Sequence, residues 1–474
     1  MANNLYIDGE WRGSGAYFER FNPASPDEVT GRFVAAGAED VEGAYAAAAA
    51  AQASWAEQPA QARGRLLRAA AEELSRREEE AAATLTADMG KAIRDARAEV
   101  RRSIEILRYY SGEVLQASGS VYPSVAAGTT ILTVERPLGV VCAITPWNFP
   151  FAIPTWKLAP ALGFGNAVVW KPAEAASGSA TLLTEVFEAA GLPRGVLNLV
   201  TGFGSELSAP LTDNGALAAL TFTGSNRVGT HLRQQVADRN VKVQLELGGK
   251  NPAVVLADGD LPDAATQVAR GAMLATGQRC TATSRVYVEE SVADEFTALL
   301  VDRVTAFAVG DPTREETDIG PLAFPEQRDK VAGYLQLARD EGARVLAGCS
   351  MLEGCYVEPT VLTDVDPDSR LLKDEIFGPV LILARSPDRE SAIAAANATE
   401  FGLSAALFTT DLAAALSFLS EAEVGLVNVN RETAGVEPHV PFGGIKESSS
   451  MSREQGTAAR EFFTTTKTAY LRIS

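Results

Sequence analysis

Residues 139–172 read GVVCAITPWNFPFAIPTWKLAPALGFGNAVVWKP. Residues 139–145 form an apolar, strand-like run that stops at Pro146, and residues 167–170 form a second one that stops at Lys171 and Pro172. The pattern continues outward. Residues 196–200 and 218–222 are further strand candidates, and helical stretches such as 180–190 lie between them. Strand and helix in alternation predict a parallel, doubly wound α/β sheet. A second series follows Gly248 and Gly249, with strand candidates at 253–256, 285–288, 380–384 and 424–429. Two α/β units are therefore expected, divided near those glycines.

On the N-terminal side, residues 1–35 read as short strands and turns around Gly9, Gly13, Gly15 and the pair Asn22-Pro23. Residues 39–55, 61–81 and 91–116 read as helices. The first holds the alanine run 46–51, with Glu39 and Asp40 where the helix dipole favours acid. The second sets Leu66, Leu67 and Leu74 among mixed charge, as on an amphipathic surface helix. Residues 129–134 (TTILTV) alternate and are β-branched, so they predict a strand ending at Arg136-Pro137. Residues 461–473 show a similar alternation rich in threonine. These two distant strands can join one small sheet, which suggests an oligomerisation element.

Composition narrows the function classes. A chain of 474 residues suggests two to four domains or subdomains, at ~100–200 residues each. With 46% hydrophobic and 22% charged residues, a mostly disordered chain is excluded. Lys and Arg number 42 against 61 Asp and Glu, a net charge of −19. That balance argues against nucleic acid and anionic membranes as partners. The four cysteines, Cys142, Cys280, Cys349 and Cys355, form no C-x-x-C pair, and the only histidines are His231 and His439. A disulfide framework is excluded, and neither a Cys/His zinc site nor any other metal is expected. The start of the chain lacks a basic region followed by an apolar run, and no segment reaches the length of a membrane span. A cytoplasmic protein is expected.

The chemistry centres on Cys280, in GQRCTAT at 277–283, between a helical stretch (264–275) and a strand. Arg279 beside it can help to lower the thiol pKa. A buried structural cysteine is the competing reading, and Cys142, inside an apolar run, keeps it. A nucleophilic cysteine needs a base. Glu246, between two leucines and followed by two glycines, is an acid in apolar surroundings, where a raised pKa suits a base near neutral pH. The alternative is a solvated acid at a strand end. Asn148 sits in a loop framed by Pro146 and Pro150, and a rigid amide can donate to a developing oxyanion. The alternative there is a proline-framed turn with a packing Trp147. No G-x-G-x-x-G is present; FTGS at 222–225, with Gly224 and Ser225 feeding a helix, suits a pyrophosphate at a helix N-terminus. Lys171 and Glu174 end another strand, where an open α/β sheet places ligands, and can grip a ribose.

The segments PWNFP at 146–150, WKPAE at 170–174, FTGS at 222–225, LELGGKNP at 245–252, GQRCTA at 277–282, EIFGPV at 375–380 and PFGG at 441–444 resemble, in order and combination, the aldehyde dehydrogenase superfamily. The resemblance spans essentially the whole chain. It implies a Rossmann-like cofactor domain (1–118 and 138–247), an α/β catalytic domain (248–446) and a small β oligomerisation element (119–137 and 447–474). It implies that Cys280 attacks an aldehyde carbon, that Asn148 and the Cys280 backbone N–H hold the oxyanion, and that hydride leaves for a nicotinamide to give a thioester. Glu246 then activates water, and Lys157 matches a family lysine near the water path. Pro146, Trp147, Lys171, Glu174, Gly204, Gly224, Ser225, Leu247, Glu375 and Phe377 are the implied cofactor contacts. Lys171 and Glu174 match contacts to the adenosine ribose, Ser225 to the pyrophosphate and Glu375 to the nicotinamide ribose. A carboxylate at position 174 hydrogen-bonds a free ribose 2′-hydroxyl and repels a 2′-phosphate, which favours NAD over NADP. Because such a glutamate can swing away, NADP stays open, as does the choice between homodimer and homotetramer.

Residues 151–157 and 433–444 are similar to the α-ketoglutarate semialdehyde (2,5-dioxopentanoate) dehydrogenases within this superfamily. Phe151, Arg279, Thr281, Arg431 and Phe442 are the candidate substrate contacts, with Arg279 or Arg431 to meet the substrate carboxylate. Asn430-Arg431-Glu432 departs from that group's pattern, and residues 445–450, which end in three serines, look looser than its glycine-containing counterpart; both lie close to the expected entrance. Another small semialdehyde or an aliphatic or aromatic aldehyde is the alternative substrate. Two alternatives come from other classes: a Cys280–His439 thiol esterase or amidase, and a silent binding protein on the same fold.

Overall fold

The computed structural model describes residues 2–3, 5–13 and 15–472. Two seven-stranded sheets dominate. In the first, the strands run in the order Lys242–Glu246, Leu217–Thr223, Val140–Thr145, Ala167–Pro172, Leu197–Leu199, Leu5–Ile7 and Glu10–Arg12. The first five are parallel, and the last two add antiparallel at one edge. Successive side chains alternate across a sheet. Val141 and Ala143 accordingly join one buried cluster, with Tyr110 and Phe187, while Val140 and Cys142 join another, with Tyr45 and Leu207. Helices therefore cover both faces, as in the doubly wound arrangement expected. Cys142 is a core residue, and burial pushes its thiol up to about 12.

The chain crosses to the second sheet between Glu246 and Asn251. Its order is Arg344–Ala347, Thr360–Thr363, Val380–Ser386, Thr283–Glu289, Asn251–Val255, Ser404–Phe408 and Leu426–Val429, parallel except for the first edge strand. Ala253 and Val255 face one cluster and Val254 the other. The third element is a small antiparallel sheet, in which Thr464–Arg472 pairs with Thr129–Pro137 along its length and Val121–Tyr122 adds at the edge. The terminal strand is shorter than its alternation predicts. Glu461 lies in the helix Ala458–Phe463, whose Phe462 and Phe463 are buried, and Ile473 falls outside the described residues.

The helical stretch 61–81 is two helices. Ala60–Arg76 ends at Arg77, which leaves helical geometry (φ −101°, ψ 17°), and Glu78–Met89 begins with three glutamates in its first turn. That acid favours a new helix start. Among the described residues, no helix is long and apolar enough to cross a membrane.

Candidate active site

Cys280 lies just before the central strand Thr283–Glu289 of the second sheet. The chain reaches it through three consecutive residues in left-handed conformation, Ala275, Thr276 and Gly277 (φ 53°, 57° and 64°). At Gly277 a Cβ would meet the carbonyl oxygen of Gly378 at 2.2 Å, so only glycine fits. Side-chain bonds hold the bend: Ala275 N–H donates to Asp95 Oδ2 (3.2 Å) and Thr276 Oγ1 to the Gly320 carbonyl (3.1 Å). Gln278 Oε1 accepts from Ala323 N–H (3.0 Å).

Two cavities meet at Cys280. One, of about 170 Å³, runs past Pro146, Trp147 and Asn148 to Gly224, Ser225, Leu247, Glu375 and Phe377. The other, of about 330 Å³, opens on the opposite side past Phe149, Trp156, Arg279, Thr281, Glu432 and Phe442. Cys280 and Ile153 are the residues common to both. Desolvation, with the nearby Glu375 and Glu246 carboxylates, pushes the Cys280 thiol up to about 12. This corrects the expectation that Arg279 lowers it. The Arg279 guanidinium instead donates to the carbonyls of Arg270 (2.7 Å) and Gly271 (2.9 Å) and lies 3.6 Å from Glu432.

Asn148 Nδ2 donates to the Gln278 carbonyl (3.0 Å), which ties the loop after Val140–Thr145 to the cysteine loop. Sequence reading missed what fixes this loop from behind. Lys91 and Glu99 form a fully buried ion pair. Lys91 Nζ also donates to the Asn148 carbonyl (2.7 Å) and sits 3.8 Å from the centre of the Phe149 ring. Glu99 Oε1 accepts from the backbone N–H groups of Phe151 (2.9 Å) and Ala152 (3.1 Å), which open the helix Ala152–Gly163. These are unsatisfied donors at a helix N-terminus, where a carboxylate is favourable.

Every residue of that helix is buried, Lys157 included. Lys157 Nζ donates to Thr221 Oγ1 (2.8 Å) and pairs with Glu454, a residue that no sequence motif singled out. Glu246 ends the edge strand Lys242–Glu246 and is buried. Desolvation and the Glu454 charge raise its pKa well above the usual carboxylate range, against the Ser449 hydroxyl, Lys157 and Arg453.

Lys171, Glu174 and Gly204 form a separate cluster at the end of the strand Ala167–Pro172. Glu174 Oε1 accepts from Lys171 Nζ (3.0 Å) and from Gly204 N–H (2.7 Å). Burial penalises the Glu174 charge, but these partners hold its pKa below the ordinary value. Ser225 caps the helix Asn226–Gln235. Glu375 accepts from Gly249 N–H (3.0 Å), and Trp147 packs edge-on against Phe377 (5.4 Å) and Phe324 (5.1 Å). Gln327 and Lys330 also line the smaller cavity, another pair the motifs did not reveal.

Two candidate substrate contacts, and the histidine of the esterase alternative, fall elsewhere. Phe151 lies wholly in the core of the first sheet, because its N–H is fixed on Glu99 and the helix start turns its ring inward; Phe149 faces the cavity instead. Arg431 follows Asn430, which has a positive φ (52°), and is exposed, outside the cavity walls. His439 is exposed as well, 3.7 Å from Glu437, and lines neither cavity, so no Cys280–His439 pair forms. Thr281 and Phe442 line the larger cavity, and Phe442 packs on Trp156 with ring centres 5.5 Å apart.

A thiol between two cavities, with an amide donor on the wall of one and a buried carboxylate whose charge reaches the sulfur, suits addition to a carbonyl followed by hydrolysis. Similarity to known proteins agrees. The chain is 44% identical to the alpha-ketoglutaric semialdehyde dehydrogenase of Bacillus subtilis, over 98% of this chain and 97% of that protein. It is 43% identical to the alpha-ketoglutarate semialdehyde dehydrogenase of Haloferax volcanii, over 98% of each. The crystal structure of an NAD-dependent aldehyde dehydrogenase from Sinorhizobium meliloti matches with a TM-score of 0.97 at 35% identity, over 100% of this chain and 95% of that one. The model of the Aldehyde dehydrogenase family matches residues 11–469. With fold, cavities and near-full-length matches in accord, the chain belongs to the aldehyde dehydrogenase family.

Proposed function

We propose that this aldehyde dehydrogenase oxidises α-ketoglutarate semialdehyde to 2-oxoglutarate with NAD. The observation that carries the mechanism is the meeting of the two cavities at Cys280, with one side for the aldehyde and the other for the hydride acceptor.

The smaller cavity suits the nicotinamide end of a dinucleotide, whose adenosine end reaches past it to the separate cluster at Lys171, Glu174 and Gly204. Thr223 lines the cavity and has a buried hydroxyl without a hydrogen-bond partner. At Gly248 a Cβ would lie 2.7 Å from Glu375 Oε2, so the glycine leaves that carboxylate room. Gly224, Ser225 and the helix N-terminus behind them suit the pyrophosphate. Glu375 suits the nicotinamide ribose, and Lys171, Glu174 and Gly204 the adenosine ribose, with NADP as the less favoured dinucleotide. When bound, the nicotinamide supplies the hydride acceptor.

The chain's own groups do the rest. Cys280 Sγ bonds to the aldehyde carbon, the carbonyl π electrons move onto oxygen as the oxyanion, and the thiol proton passes to solvent water. Asn148 has two N–H donors on Nδ2; one is held by the Gln278 carbonyl, which orients the other for the oxyanion. Once hydride has left, the acyl group is a thioester on Cys280. Glu246 takes a proton from water as the water oxygen bonds to the acyl carbon. The C–S bond breaks, the sulfur takes up the proton that Glu246 received from water, and the acid leaves.

The substrate reading rests on the names of the two relatives and on the cavity walls. Trp156 Nε1 and Arg279 Nε are buried donors without partners among the described residues, and both residues line the larger cavity. Such donors suit a substrate with acceptor oxygens. The pairing of Thr129–Pro137 with Thr464–Arg472 supports an oligomerisation element and a homodimer or homotetramer. We assign the first sheet to the cofactor domain and the second to the catalytic domain, in a cytoplasmic protein.

The test follows reduced-nicotinamide absorbance with NAD or NADP and a panel of α-ketoglutarate semialdehyde, succinate semialdehyde, glutaraldehyde, benzaldehyde and propanal. The highest kcat/KM is expected for the oxo-acid aldehyde with NAD. A preference for propanal or benzaldehyde overturns the substrate assignment.

A further inference from the structure

The two oxygens of the Glu246 carboxylate are treated differently. Oε2 accepts a hydrogen bond from Ser449 Oγ at 2.5 Å. Oε1 is buried and has no partner among the described residues. It occupies space that exists because residue 443 is glycine: a Cβ there would stand 2.8 Å from Oε1, and the φ of 149° disfavours any other residue.

Ser449 cannot easily turn away. Its oxygen accepts the Gly444 N–H at 2.6 Å, so its single proton is left for the carboxylate. Its backbone is tied to the strand that carries the glutamate. Glu246 and Ser449 form an antiparallel bridge, Leu247 N–H donates to the Ser448 carbonyl (2.8 Å), and Ser450 N–H donates to the Leu245 carbonyl (2.9 Å). The neighbouring serines serve the backbone: Ser448 Oγ accepts from Gly402 N–H (2.9 Å) and Ser450 Oγ from Leu245 N–H (3.0 Å). Of the three, only the hydroxyl of Ser449 meets a carboxylate.

We propose that Ser449 is the positioning residue of Glu246, anchoring Oε2 so that Oε1 is the oxygen that takes the proton from water. This rests on the reading of Glu246 as the base. Burial and Glu454, on the segment after the serine run, raise the Glu246 pKa, whereas Ser449, Lys157 on the buried helix and Arg453 lower it. The Glu246 charge in turn helps to raise the Cys280 thiol, with Glu375. Loss of a donor to the charged form raises a carboxylate pKa further.

The experiment compares the wild type with Ser449→Ala, Ser449→Thr and Glu246→Gln, each with aldehyde and NAD. Rapid mixing reads the first-turnover formation of reduced nicotinamide. Intact mass after acid quench reads the acyl group remaining on Cys280, across a range of pH. For Ser449→Ala, first-turnover nicotinamide reduction is expected to stay near the wild-type rate. Acyl loss is expected to slow about tenfold, as for a hydrogen bond to a charged group, with its acid limb moved to higher pH. Ser449→Thr is expected to restore both. Acyl loss at the wild-type rate with an unmoved acid limb overturns the proposal. So does equal slowing of both steps, which marks a merely structural role. Glu246→Gln separates the two levels. If it loses the acyl group at the wild-type rate, the base assignment itself has failed. If it retains the acyl group while Ser449→Ala does not, only the role of the serine has failed.

Discussion

Cys280 and Ile153 together form the boundary between the cavity assigned to the aldehyde and the cavity assigned to the cofactor. Ile153 is 1% exposed and sits on the first turn of the helix Ala152–Gly163. Its branched side chain helps to limit where an aldehyde carbon can sit against the sulfur. Ile153→Ala is expected to destabilise the fold by about 2–5 kcal/mol, as for a buried large-to-small change. It is also expected to lower kcat/KM by about tenfold or more, because it loosens the attack geometry. Denaturant unfolding reads the first effect and steady-state kinetics the second. Unchanged kinetics in a destabilised protein would remove Ile153 from the site.

The thiol of Cys280 gives a prediction in pH. Burial and the two neighbouring carboxylates push it up to about 12. Below that value, the thiolate fraction grows about tenfold for each unit of pH. Alkylation of the cofactor-free enzyme by iodoacetamide is therefore expected to keep accelerating through pH 9 and 10, beyond the ~8.5 of an ordinary cysteine. A plateau near pH 8 would show that the sulfur is activated in the resting enzyme. Cys280→Ala serves as the control and is expected to abolish aldehyde oxidation while retaining dinucleotide binding.

Lys91 and Glu99 give a prediction about support rather than chemistry. Their buried pair holds the Asn148 carbonyl on one side and the start of the helix carrying Ile153 and Lys157 on the other. Breaking a buried pair by removing one partner leaves an uncompensated charge and costs about 3–5 kcal/mol. Lys91→Met is expected to lower stability by that order and to reduce kcat, because Asn148 loses the contact behind it. A double change, Lys91→Met with Glu99→Gln, is expected to recover part of the stability but not the activity. Full recovery of both would make the pair incidental to the site.

How much of this was legible depends on the range of each contact. The loop 146–150 was readable because two prolines and a strand end fix it locally, and Cys280 because a helix, a short bend and a strand surround it. The unbroken apolar run of Val140–Thr145 predicted neither face nor partner, yet it placed the segment inside a sheet. Long-range pairings left no mark. Glu454 meets Lys157 across 297 residues, and nothing in REQG at 453–456 suggests a buried acid. Phe149 and Phe151 look alike in sequence, but Glu99, from another element, holds the backbone at Phe151, whose ring is in the core, while Phe149 lies under Lys91 on the cavity wall. The serine run 448–450 looked loose until strand pairing gave each hydroxyl a separate partner.

Glu174 supplies the last prediction, on cofactor choice. Its carboxylate is partly exposed and shared between the Lys171 ammonium and the Gly204 N–H, which together keep it charged below the ordinary carboxylate range. At neutral pH it therefore presents a full negative charge where the adenosine ribose is assigned. A free 2′-hydroxyl can donate to that charge, while a 2′-phosphate is repelled by it. Glu174→Gln removes the charge, keeps an acceptor for the hydroxyl and frees Lys171 to face a phosphate. The ratio of kcat/KM for NADP to that for NAD is expected to rise by about tenfold or more, the scale of relieving one like-charge contact. Most of the change should fall in KM for NADP, with the first-turnover rate at saturation unaltered. An unchanged ratio would mean that the ribose does not reach Glu174, and that the Lys171, Glu174 and Gly204 cluster is structural.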